Sequence, residues 1–77
     1  MIRLNTRSLD AFMSMYGIKN INKLADLIGV SPSMLHRVYN GQRAPGAKVI
    51  SGLLIFFQEP FDAFFTEEDG EQSAKSE

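Results

Sequence analysis

The reading of the fold turns on residues 20 to 40, Asn20-Ile21-Asn22-Lys23-Leu24-Ala25-Asp26-Leu27-Ile28-Gly29-Val30-Ser31-Pro32-Ser33-Met34-Leu35-His36-Arg37-Val38-Tyr39-Asn40. Ile21, Leu24, Ala25 and Ile28 follow the i, i+3, i+4, i+7 spacing of a single helix face. Asn20 stands where a side-chain oxygen caps the free amides, and Gly29 stands where a residue without Cβ ends the helix in a left-handed turn. Ser31-Pro32 then opens a second helix. Proline is favoured at the first helical position because an N–H there would have no partner anyway. Leu35 and Val38 form its inward face, with Met34 or Tyr39 as further candidates, and Asn40-Gly41 closes it. A connection this short makes the two helices cross steeply, with small Ala25 at the crossing and Val30 plugging the turn.

Upstream, Leu9, Phe12, Met13 and Tyr16 repeat the helical spacing, with Asn5, Thr6 and Ser8 as alternative caps and Gly17 as a stop. Downstream, the loop Gln42-Arg43-Ala44-Pro45-Gly46 leads into Ile50, Leu53, Leu54 and Phe57, reinforced by Val49 and Phe56. Pro60 begins a short fifth helix carrying Phe61, Phe64 and Phe65. From Thr66 no large apolar residue occurs, so residues 66–77 are expected to form an acidic, disordered tail behind a single domain at 1–65. No internal repeat is evident, and no strand alternation long enough to matter.

The chain has 77 residues, 44% of them apolar, which suits one small core and leaves oligomerisation as a route to added stability. Its lack of cysteine excludes a disulfide scaffold and thiol chemistry and fits a reducing cytoplasm. No apolar run approaches a membrane span of ~18 residues. The net charge of -1 hides an uneven distribution. Up to residue 65 the bases Arg3, Arg7, Lys19, Lys23, Arg37, Arg43 and Lys48 outnumber the acids Asp10, Asp26, Glu59 and Asp62. The last twelve residues set Glu67, Glu68, Asp69, Glu71 and Glu77 against Lys75. Between Asp26 and Glu59 there is no acid, while Arg37, Arg43 and Lys48 all fall there. With one histidine, no Gly-rich phosphate loop and no carboxylate pair on an apolar face, no catalytic residue, metal ligand or cofactor is expected.

Ala25, Gly29 four residues on, and Leu35 and Val38 ten and thirteen on resemble the helix-turn-helix of the phage-repressor, Cro and XRE-type regulators. The resemblance covers roughly residues 6 to 65. It includes a preceding helix, the Asn40-Gly41 exit, the Arg43 and Pro45 loop, and two closing helices. It implies an all-α, compact five-helix lambda-repressor-like domain and a bacterial, phage or mobile-element transcriptional regulator, cytoplasmic and nucleoid-associated. Ile21 stands where the family often has a phosphate-holding glutamine, which leaves that contact to Asn20 or Asn22. Tyr39 stands where glutamate is frequent. The exit Arg37-Val38-Tyr39-Asn40 also resembles the LacI-type headpiece, but that module begins with its motif, whereas a helix precedes it here.

The resemblance makes double-stranded DNA the expected partner, and the helix from Pro32 the one that enters the major groove. With Leu35 and Val38 facing inward, Pro32, Ser33, His36 and Arg37 face outward as base-reading candidates. Arg37 suits guanine O6 and N7 through its planar fork, or alternatively a phosphate. Phosphates fall to Asn20, Ser31, Asn40, Gln42, Arg43 and Lys48 around the helix starts and the exit loop. Ile55, Phe56, Phe61, Phe64 and Phe65 exceed what one side of a small core can cover, and are expected to form a homodimer interface suited to a palindromic operator. The competing reading is a protein-binding regulator, antirepressor or antitoxin-like, that uses the same helices to dock another protein.

Overall fold

The computed structural model describes residues 2–67. Its elements in chain order are β1 (Ile2–Leu4), α1 (Thr6–Met15), α2 (Ile21–Ile28), α3 (Pro32–Tyr39), α4 (Ala47–Phe57), a 3-10 turn at Phe61–Ala63, and β2 (Phe65–Glu67). Helix α1 is capped by Asn5, whose Oδ1 accepts from the Ser8 amide at 3.1 Å. The Ser8 hydroxyl instead donates to the Ala63 carbonyl, tying α1 to the far end of the chain.

The core collects Leu9 and Met13 from α1, Ile18 from the following loop, Leu24 and Ala25 from α2, and Leu35 and Val38 from α3. Val49, Leu53 and Phe57 from α4 and then Phe64 and Phe65 complete it. Ile50, Leu54 and Phe56 pack against this core half-buried, so α4 meets apolar neighbours around much of its circumference. Helices α2 and α4 approach closely at Gly52. A Cβ there would lie 3.0 Å from Ile28 Cβ and 3.2 Å from the Ile28 carbonyl, so a larger residue would push the two helices apart by a few tenths of an ångström.

The end of the domain differs from the all-α, five-helix expectation. Among the described residues there are four α-helices, and the segment after Pro60 makes a single 3-10 turn closed by Phe64 N–H donating to the Phe61 carbonyl at 3.1 Å. The chain then extends into β2, which pairs antiparallel with β1 in the register Ile2↔Glu67, Arg3↔Thr66 and Leu4↔Phe65. Asn5 N–H donates to the Phe64 carbonyl at 2.7 Å and continues the ladder. In this arrangement Phe64 at the end of the turn and Phe65 at the start of β2 both point inward. Phe64 packs against Phe12 and Phe57 with ring centroids 5.0 and 5.3 Å away. Strand β2 includes Thr66 and Glu67, the first two residues of the expected tail, and the remainder of that tail lies outside the described residues.

Candidate nucleic-acid interface

The local chemistry of residues 20–42 sets the orientation of α3. Asn20 Oδ1 accepts from the Lys23 amide at 2.9 Å and begins α2. At the other end Gly29 takes a left-handed conformation with φ 77°, and the amides of Gly29 and Val30 both donate to the Ala25 carbonyl, at 2.9 and 3.0 Å. Ser31 Oγ accepts from the Met34 amide at 3.2 Å, and Pro32 occupies the first turn of α3. Asn20 and Ser31 therefore spend an acceptor on capping, but each keeps a side-chain donor for a phosphate.

Leu35 and Val38, 0% and 3% exposed, hold α3 to the core. The opposite face carries Pro32, Ser33, His36 and Arg37, all exposed and brought together as the sequence implies. His36 Nε2 donates to Asn22 Oδ1 at 3.0 Å, a link between the outer faces of α2 and α3. Part of the imidazole's bonding capacity is thus used within the protein, and Nδ1 is left for an outside partner. The exit loop is fixed to the helix it follows: Asn40, Gly41 and Gln42 amides donate to the carbonyls of His36, Val38 and Arg37 at 2.9, 3.1 and 2.8 Å. Asn40, Gln42 and Arg43 are exposed there, on a frame shared with Arg37. Lys48 is also exposed, but it lines a shallow groove with Leu27, Gly52, Ile55 and Phe56 between α2 and α4.

The residues proposed for an interface between copies separate into two groups. Ile55 is 72% exposed, and Phe56 and Phe61 are half-buried. Phe64 and Phe65, 0% and 2% exposed, belong to the protomer's own core, because the turn into β2 aims both rings inward. Met15, Tyr16 and Leu27, absent from the sequence-derived set, are exposed as well. Among the described residues no three histidine or acidic side chains converge on a metal-sized site, and no helix is long and apolar enough to cross a membrane.

A family model described as Helix-turn-helix matches residues 17–64, more than half of the chain and the whole of the segment just described. The chain belongs to the helix-turn-helix family. A protein of Bacillus subtilis (strain 168) described as an uncharacterized HTH-type transcriptional regulator, YvzC, is 48% identical over 46 residues, 60% of each chain. The chain spans about 60% of the length of that relative. No solved structure matches.

One feature of this helix-turn-helix domain had no signal in the sequence. The Tyr39 hydroxyl, at the last residue of α3, donates to the Asp10 carboxylate on α1 at 2.8 Å to Oδ1 and 3.1 Å to Oδ2. The hydrogen bond to Asp10 raises the Tyr39 pKa above its ordinary value, with desolvation and the nearby negative charge adding to it. A pKa raised on folding contributes stability that is complete below the unfolded value of about 10 and is lost as pH rises through the higher folded value. Because the bond lies at the solvent-exposed surface, Tyr39→Phe is expected to lose no more than about 0.5–1 kcal/mol at neutral pH. Urea titrations of both proteins should show the difference shrinking as the pH rises above about 10 towards the folded Tyr39 pKa. A constant difference up to the most alkaline pH would show that the phenol does not carry it.

Proposed function

We propose that this protein is a sequence-specific, repressor-like transcriptional regulator that inserts α3 into the major groove of double-stranded DNA and acts as a homodimer on a palindromic operator. It acts at the nucleoid in the bacterial cytoplasm. The observation that carries this reading is the exposed quartet Pro32, Ser33, His36 and Arg37 on a helix anchored by Leu35 and Val38. An acid-free run surrounds it, from Asp26 to Glu59. Arg37 reads a base edge, Ser33 bonds a base or phosphate, and Pro32 offers an apolar contact to a thymine methyl. Asn20, Ser31, Asn40, Gln42, Arg43 and Lys48 hold the backbone and set register. The name of the Bacillus subtilis relative agrees with this reading. Selection of bound sequences from a random duplex pool is the direct test, and a palindromic product is the expected outcome.

The assignment of roles separates Arg37 from Arg43. Arg37→Ala is expected to relax preference at one base pair per half-site, at a cost of ~1–3 kcal/mol on the selected operator. Arg43→Ala is expected to weaken selected and random duplexes alike and to lower the salt slope by roughly one unit. Equal losses on both duplexes for both variants would remove the distinction.

Met15, Tyr16, Leu27 and Ile55, all apolar and exposed, favour a second reading in which the domain docks another protein as an antirepressor or antitoxin-like regulator. Failure to retain any duplex, even at low salt, would support that reading over DNA binding.

A further inference from the structure

The pairing of β1 with β2 brings the start of the chain beside the exit of α3. Arg3 is the central residue of β1, between half-buried Ile2 and Leu4, so strand alternation places its side chain on the outer face. There it reaches Gly41. The exit turn holds Gly41 at φ 77°, and a Cβ built on it would stand 3.6 Å from Arg3 Nη2. The guanidinium thus lies over the loop that bears Asn40, Gln42 and Arg43. A cavity of about 260 Å³ separates β1 from this loop, with Arg3, Thr6, Gln42 and Arg43 on its walls and no carboxylate among its lining residues.

We propose that Arg3 extends the DNA-backbone surface of the exit loop, donating to a backbone phosphate next to the one held by Arg43. The proposal rests on the DNA-binding reading of α3. A guanidinium has five N–H donors in a planar fork, so Arg3 can keep an intramolecular partner and still hold a phosphate oxygen. The contact carries no sequence information, because strand and loop flank the reading helix rather than form part of it. Arg3 and Arg43 lie on the walls of one cavity that has no carboxylate among its lining residues, a local pairing of bases that the overall charge of the chain conceals.

The test uses the full chain, a duplex selected from the random pool and a random duplex of equal length, with binding followed by fluorescence anisotropy across a salt series. Arg3→Gln, checked for an unchanged thermal melt, is expected to bind both duplexes about three- to tenfold more weakly and to lower the salt slope by roughly one unit. Base preference should stay as in the wild type. Arg3→Lys should keep the slope. In the wild-type protein, the Arg3 Nε–H resonance is expected to shift on addition of the selected duplex, a readout that requires no variant to fold. An unchanged slope in folded Arg3→Gln, or an unmoved Nε–H resonance at saturation, overturns the assignment of Arg3 alone. Absence of binding by the wild type to either duplex overturns the DNA-binding reading and the Arg3 contact with it.

Discussion

Phe64→Ala is expected to remove most of the stability of the protein. The Phe64 side chain is fully buried, its ring 5.0 Å from that of Phe12, 5.3 Å from Phe57 and 6.3 Å from Phe65. It therefore joins α1 and α4 to the closing strand. Truncating a buried phenylalanine costs about 3–5 kcal/mol, through lost transfer free energy and the cavity left behind. The total stability of a domain this small is on the order of 5 kcal/mol, so little would remain. Urea denaturation followed by circular dichroism measures the effect. A loss below about 1.5 kcal/mol would mean that Phe64 is not the junction of these elements. Phe64 also distinguishes core from interface: a residue serving only between copies would leave the isolated protomer folded when truncated.

Ile55→Glu is expected to have the opposite profile, with a folded chain and greatly weakened operator binding. Ile55 is 72% exposed on α4, in the groove lined by Leu27, Gly52 and Phe56, and Phe56 continues the apolar surface to Tyr16 with ring centroids 6.1 Å apart. In the proposed dimer this surface faces its copy across a twofold axis and sets two α3 helices about 34 Å apart, one turn of DNA. Engagement of the second half-site is then intramolecular, and losing that linkage costs about 100-fold or more in operator affinity. A glutamate at position 55 would be desolvated in the dimer but would lie in water in the monomer. Sedimentation velocity and operator titration measure the two effects. A wild-type protein that sediments as a monomer at tens of micromolar, together with intact operator binding by the variant, would exclude the dimer.

The sequence alone determined the elements whose causes lie within a few residues of one another. Asn20, Gly29, Ser31 and Pro32 start and stop α2 and α3 where the sequence places those boundaries, because a cap or a left-handed turn acts across no more than about four residues. The outward quartet of α3 was legible for the same reason: once Leu35 and Val38 face inward, helical geometry sends Pro32, Ser33, His36 and Arg37 to the other side.

Only the tertiary structure decided how the domain closes. A three-residue strand is too short to show alternation, and β1 becomes a strand only because β2, more than sixty residues away, supplies its hydrogen bonds. That pairing ends the helical reading after Pro60 and turns Phe64 and Phe65 into the core. It also sets Arg3 over Gly41. The Asp10–Tyr39 and Asn22–His36 links were hidden likewise. Each joins residues on different helices, and the positions of polar side chains along a helix say which face they share, but not which neighbouring helix meets that face.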